Sequence, residues 1–388
     1  MKINELIKEL CPNGVEWKTL GEVCKLERGV VISKEYLRDN AGDYPVYSSQ
    51  TENNGEFGRI NTYRYDGTYV TWTTDGAYAG TVFRRSGKFN ITNVCGLLDI
   101  YDKKKVDCNY LYYILSITTK TYVNAGMGNP KLMSNVMAKV SIPIPPIAIQ
   151  TRIVEILDHF TNLTANLNAE LNLRRKQFEH YREKLLAFGE DVECIKYKDV
   201  GKWTSGSTPS MDNAEFWSDG SIPWITSKDM KSPIITDSSI HVAQKAIDKK
   251  SIKLLPKNVV AFVTRSGILK HTLPIAFIPI ETTINQDIRA VCLNEKTLPK
   301  FFFYSFLASA KVILNTTRKI GGSVDSLEVP KVMNYQFARP SIETQQSIVE
   351  ILDKFTALIA NIEQEIALRQ KQYEYYREEL LRFERSTF

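Results

Sequence analysis

The stretch IVEILDHFT at residues 153–161 returns as IVEILDKFT at residues 348–356. At this offset of 195, residues 153–188 and 348–383 are identical at about two positions in three, which marks a duplicated unit. A chain of 388 residues made of two such units has room for two globular blocks, each with its own core and each followed by the kept segment.

The kept segment carries apolar residues in alternating steps of four and three, the pattern of a coiled-coil seam. Ile153, Leu157, Phe160, Leu167, Leu171, Phe178, Tyr181 and Leu185 form the first seam. Ile348, Leu352, Phe355, Ile362, Ile366, Tyr373, Tyr376 and Leu380 form the second. The pattern predicts two long helices, each on the order of 54 Å at about 1.5 Å per residue. IPIPP at 142–146 and Pro340 stand before them, and Gly189 suits a stop after the first.

One helix with a single apolar stripe is not stable alone, and its simplest partner is its own copy. Because each unit runs block then helix, an antiparallel pair sets the blocks at opposite ends of a rod. Arg174 and Arg369 interrupt the two seams near the helix centres. The antiparallel register predicts that they reach Glu365 and Glu170; the alternative is that both guanidinium groups run out to solvent. The expected organisation is a first block at 1–145, a central spacer helix at 146–190, a second block at 191–340 and a C-terminal spacer helix at 341–388.

Both blocks carry strand signals set between Gly, Asn and Asp turns: TYVTWTT (68–74), GTVFRR (80–85), NVVAFVT (258–264) and IRAVCL (288–293). Helical signals lie at NYLYYILS (109–116) and PKFFFYSFLAS (299–309). The fold class is therefore α+β, two globular domains and two long helices packed as an antiparallel coiled coil; these signals leave the strand order open. Outside the helices the halves align poorly, with traces such as WKTLGEV against YKDVGKW. A kept helix beside changed blocks points to two adaptors of one architecture with two different readouts.

The formal charge of +6 is unevenly spread. Residues 20–141 hold 15 basic against 12 acidic side chains (+3) and 196–337 hold 19 against 12 (+7), while the two helical segments are each −2. A polyanion facing the blocks fits this excess, as does an ordinary solvated surface. Six cysteines without a C-x-x-C are expected to be reduced and mostly buried. MKINELIKEL lacks a signal-peptide core and no run approaches a membrane span, so the expected location is cytoplasmic.

With these parts assembled, the chain resembles a known family. WKTLGEV in the first block, IPIPPIAIQTRIVEILD leading into the first helix, GSTPS…FWSDGSIPWITSKDM in the second block and INQDIRA after it are similar to the DNA specificity subunits of type I restriction-modification systems. The second helix opens RPSIETQQS, without the Pro-Pro pair. The resemblance implies that each block is a target recognition domain for one half of a split, asymmetric double-stranded DNA site. It also implies a non-catalytic chain that binds no cofactor itself. Two methyltransferase subunits would use S-adenosylmethionine on adenine, and restriction subunits would use ATP and Mg. Duplex DNA repeats about every 34 Å, so a rod on the order of 54 Å suits two readers about one turn or more apart.

Base edges are best met by Arg, Lys, Asn and Gln, and phosphates by Lys, Arg, Ser and Thr. Candidates of these types on expected loops of the first block are Ser49, Gln50, Thr51, Asn53, Asn54, Thr74, Asp75 and Lys131. In the second block they are Ser205, Ser207, Thr208, Thr226, Ser227, Lys228, Arg265, Asn285, Gln286 and Lys319. Each competes with a plain role as a turn residue.

Other functions lack their motifs. The sole Pro-Pro, Pro145-Pro146, is not the Asn/Asp-Pro-Pro-aromatic motif of an adenine methyltransferase, and no G-x-x-x-x-G-K-[ST] phosphate loop occurs. His159, His180, His241 and His271 have no metal-ligand spacing, and Asp229 with Asp287 is a weak nuclease pair. Two readings remain beside DNA recognition: a two-headed tether that binds proteins or carbohydrate, and a self-sufficient DNA-modifying enzyme.

Overall fold

The computed structural model describes residues 3–321 and 324–385, so the last three residues of the expected C-terminal helix lie outside it. The chain divides into two compact units of mixed α and β structure. One runs to Asn168 and includes the segment from Gln364 onward; the other is Ala169–Glu363.

The first unit contains β1 (Glu16–Thr19), β2 (Cys24–Arg28), β3 (Ala41–Tyr47), β4 (Glu56–Ile60), β5 (Tyr65–Thr73), β6 (Val82–Ile91), β7 (Cys95–Ile100), helix α1 (Cys108–Thr118) and β8 (Ser141–Ile144). Six strands pair in the order β2-β7-β5-β6-β3-β4, and β1 pairs with β8. Central β5 is buried on both faces from Val70 to Thr73, as its β-branched and aromatic residues require. Trp72 donates its indole N–H to the Leu132 carbonyl at 2.9 Å, and Gly96 faces it, where a Cβ would come within 2.2 Å of the ring. Helix α1 is capped by Asp107, which accepts from the amides of Asn109 and Tyr110. Its Tyr110, Leu111 and Ile114 share one core with Val70, Trp72 and Leu98. The sheet curls, because Val30 just beyond β2 bridges Thr92 just beyond β6 although β7 and β5 lie between those strands.

The second unit contains β9 (Cys194–Lys196), β10 (Gly201–Ser205), β11 (Ile222–Ile225), β12 (His241–Val242), β13 (Val259–Val263), β14 (Ile275–Ile278), β15 (Thr283–Ile284), β16 (Ile288–Leu293), β17 (Arg318–Lys319), β18 (Ser326–Leu327) and β19 (Gln336–Ala338). Its strands pair as β10-β16-β13-β14 and as β12-β11-β15, with β9 against β19 and β17 against β18. Register shows that this is the first topology again. Val46 and Tyr47 pair in parallel with Asn90 and Ile91, and Trp224 and Ile225 do the same with Thr283 and Ile284. Strands β14 and β15 together therefore stand for β6, interrupted around Pro279, whose ring nitrogen has no proton for a ladder. A longer helix follows here too, labelled α3 in chain order after the first long helix, α2 (Ile147–Leu185); it spans Pro299–Thr317. The second long helix, α4, is Ile342–Leu380.

Helices α2 and α4 each have 39 residues and begin at positions related by the offset of 195, with or without Pro-Pro. A buried glutamine fixes each start. Gln150 donates to the carbonyls of Lys105 and Pro145 and accepts from the Asp107 amide. Gln345 repeats this with the carbonyls of Lys296 and Pro340 and the Leu298 amide. Both carboxamides are thereby satisfied, as burial demands.

Of the expected seam, Ile153, Leu157, Leu171, Ile348, Leu352, Ile362, Ile366 and Leu380 are buried. Tyr181 and Tyr376 are more open, 42% and 41% exposed, at the rim. Each still stacks, Tyr376 on Phe160 in the first unit and Tyr181 on Phe355 in the second. In the second unit Arg175 also pairs with Glu363 at 2.6 Å. Partner numbers fall from 363 to 355 as those on α2 rise from 175 to 181, so the segments run in opposite directions there. Within its own unit each seam arginine has a carboxylate partner. Arg174 pairs with Glu170 at 3.3 Å and Arg369 with Glu365 at 2.6 Å, each one turn back on its own helix, the nearest carboxylate that helix geometry supplies.

All six cysteines are free, but Cys24 and Cys95 alone are buried, which pushes each thiol up to about 12; Cys194 and Cys292 are exposed.

Candidate nucleic-acid interface

In the first unit the loop joining β3 to β4, residues 48–55, holds Ser49, Gln50, Thr51, Asn53 and Asn54. Asn53, Asn54 and Gly55 all have positive φ (47°, 53° and 75°), a tight turn that Asn and Gly tolerate best. The Ser48 amide donates to the Gly55 carbonyl at 3.0 Å and the Gln50 side chain donates to the Glu56 carbonyl. The Asn53 and Asn54 side chains are left exposed.

Asp75 and Lys131 come together through a backbone bridge, with the Lys131 ammonium 3.8 Å from the Asp75 carboxylate. Arg28 lies on the same carboxylate at 3.9 Å and donates to the Asn93 carbonyl. Thr74 corrects the expectation. It is fully buried and its hydroxyl donates to Asp75 at 2.5 Å, so it orients Asp75 and has no free edge for a ligand.

The second unit carries its candidates on the equivalent connections. Thr226, Ser227 and Lys228 open the β11–β12 loop, 226–240, the counterpart of 48–55. Asp229 ties that loop together, accepting from the Thr226 amide and hydroxyl at 2.8 Å each and from the Ser239 amide and hydroxyl at 3.1 and 2.9 Å. Burial opposes its ionisation, but these donors outweigh it and hold the carboxyl below its ordinary value. With its oxygens so occupied, Asp229 is a loop knot, and a nuclease role with Asp287 finds no support. No group of three or more His, Cys, Asp or Glu among the described residues is placed to hold a metal.

Ser205 ends β10; the Ser207 hydroxyl donates to the Ser251 carbonyl, and Thr208 donates to the Gln286 side chain. Asn285 is buried and accepts from the Asp287 amide, a turn role that corrects its place among reading side chains, whereas Gln286 is exposed. Arg265 bridges Ser326, which also pairs with Lys319, so the two exposed cations flank one strand residue. The loops after β5 and β13 and the segments after α1 and α3 are thus matched between the units.

Residues 12–173 and 189–368 match the family described as type I restriction modification DNA specificity domain. The chain belongs to this family. The specificity subunit of the Escherichia coli type I restriction enzyme EcoR124I/EcoR124II is 36% identical over 393 residues, covering 95% of this chain and 94% of that one. A putative type I specificity subunit of Mycoplasma pneumoniae, S.MpnORF507P, is 34% identical over 383 residues, covering 93% and 96%. Among solved structures, the type I S subunit from M. genitalium superposes with a TM-score of 0.64 at 16% identity, covering 95% and 96% of the two chains, a likeness of fold. A chain from a study of type I R-M complex assembly gives 0.56 at 12% identity, covering 96% and 98%.

As a specificity subunit the chain serves recognition of a DNA target, and its candidates fall mostly on the connections between matched strands, of which 48–55 and 226–240 differ in length. Sequence reasoning missed Arg28, which sits with Asp75 and donates to the Asn93 carbonyl; the Arg28-Gly29 pair at the end of β2 was the available signal. It also missed the anchors. The Tyr113 hydroxyl donates to Asp158 and the Tyr304 hydroxyl to Asp353, with Arg84 and Lys300 pairing to the same carboxylates. Asp158 and Asp353 are related by the helix offset of 195, which was enough to find them. No described helix is long and apolar enough to cross a membrane.

Proposed function

We propose that each block reads one half of an asymmetric, two-part DNA site, and that α2 and α4 form an antiparallel coiled-coil spacer between the two readers. The chain itself is non-catalytic and works in the cytoplasm. Two methyltransferase subunits dock on it and use S-adenosylmethionine to methylate adenine, and restriction subunits with ATP and Mg complete the complex. The observation that carries this reading is one strand topology bearing unequal loops, 48–55 against 226–240, on long helices that are identical at about two positions in three. Identical frames with different loops suit two readouts held by one support.

Support for the spacer comes from the repeated stacks of Phe160 with Tyr376 and of Phe355 with Tyr181. Basic side chains at the loops, Arg28, Lys131, Arg265 and Lys319, suit phosphates. The deciding experiment maps methylated adenines in cells that hold the complete system, before and after exchange of residues 226–240. The expected result is a two-part site of which one half alone changes. A palindromic site, or no change in either half, overturns the reading.

A further inference from the structure

The first unit buries a cation for which its fold has no evident need. Arg85 lies on β6 and is 2% exposed. Its Nε donates to the Thr71 hydroxyl at 3.3 Å, but both terminal nitrogens are buried without a hydrogen-bond acceptor in bonding geometry among the described residues. The guanidinium carbon lies 3.6 Å from the centre of the Tyr47 ring and 4.3 Å from that of Phe83. Aromatic neighbours, the Tyr47 phenol included, return only part of what a buried charge loses with its water. Glu56, the carboxylate at the foot of the adjoining loop, is engaged by Arg59 at 2.8 Å.

Two further observations give this orphan a direction. Nη2 points at the β3–β4 loop: a Cβ on Gly55 would stand 2.9 Å from it and 3.0 Å from the Gln50 carbonyl oxygen. That loop carries Ser49, Gln50, Thr51, Asn53 and Asn54, and folds through three successive left-handed residues. The second unit, with the same topology, places Ile278 where Arg85 stands: Val82 pairs with Trp72 as Ile275 pairs with Phe262, and Ile278 lies three residues on, fully buried. An apolar side chain therefore serves the frame, and the cation is a feature of the first reader.

We propose that Arg85 is a DNA-contacting residue of the first block, covered by the 48–55 loop in the free chain and given a hydrogen-bond acceptor of the target, phosphate or base edge, when that loop meets the duplex. This rests on the reading of the block as a DNA reader. The planar fork of an arginine matches either acceptor, and its two orphan nitrogens supply the donors.

The test uses the assembled complex and a randomised duplex pool, with selected sequences counted and affinities measured against salt. Arg85→Met is expected to melt no lower than the parent, since an unpaired buried charge is replaced by an apolar chain, and to lose at least tenfold in affinity for selected duplexes. A phosphate contact lowers all selected sequences alike and reduces the slope of log affinity against log salt by about 1. A base contact instead relaxes the preference at one base pair of the first half-site. If Arg85→Met unfolds, Arg85→Ile puts the same question with the residue that the second block carries there. A variant complex with unchanged affinity, salt slope and base preference, beside a selective parent, overturns this assignment alone. A parent complex that selects no sequence overturns the DNA-reader assignment of the block, and this inference with it.

Discussion

The Tyr304 hydroxyl donates to the Asp353 carboxylate at 2.7 Å, tying α3, which packs on the second sheet, to α4. Lys300 holds the other oxygen at 2.6 Å, and burial together with the carboxylate raises the Tyr304 phenol above its ordinary value. The pair is half-buried and joined by Thr356, so its members act as one network. Tyr304→Phe and Asp353→Asn are each expected to lower the melting temperature of the chain. The double variant should lose less than the sum, with a coupling of about 0.5 to 3 kcal/mol. Strict additivity in thermal unfolding would show that the two residues are independent.

Gln150→Ala and Gln345→Ala each strand two carbonyls and one amide at the start of a long helix. Buried groups without partners cost about 1 to 3 kcal/mol each, so either change is expected to destabilise by on the order of 3 kcal/mol. Hydrogen exchange should quicken at Asp107 in one variant and at Leu298 in the other. Protection that stays at parental levels would contradict the clip.

Gly96→Ala drives a Cβ into the six-membered ring of Trp72. Overpacking at a closed site costs about 1 to 3 kcal/mol or more, and β7 cannot shift while it is paired on both sides. Trp72→Phe in the same chain removes the struck atoms and should restore part of the lost melting temperature. Failure of that rescue would place the strain elsewhere.

Asp229 gives stability a sign with pH. Its folded value is depressed, so its contribution is present above the ordinary aspartate value, about 3.9, and is lost as pH falls through the folded value. Asp229→Asn should therefore melt below the parent at pH 6, and the gap should close as pH drops below about 4. A gap that does not change with pH would mean that the charge is not what knots the loop.

The long helices were legible because one seven-residue rhythm, written twice, admits few other structures. Their ionic register was not. Glu170 and Glu365 stand one turn from Arg174 and Arg369 on the same helix and also suit a cross-helix pair, and sequence spacing does not rank the two. Strand positions could be read from β-branched runs, but strand order depends on pairings such as that of β2 with β7, about seventy residues apart, with no local mark. Most site candidates, chosen by residue type, lie on connections between strands. Thr74 and Asn285 escaped because burial there is set by distant backbone, Val94 and Leu132 around Thr74 and Ile225 beside Asn285. Arg85 was hidden for the same reason, since GTVFRR gives no sign of which arginine turns inward.

The glutamine clips make the junction of each head with its shaft a standard fitting. A head grafted from a relative needs only to offer a carbonyl and an amide where Lys105 and Asp107, or Lys296 and Leu298, now offer theirs. Beyond that fitting the two units already differ in length and letter, as in 48–55 against 226–240, while the joint keeps its geometry.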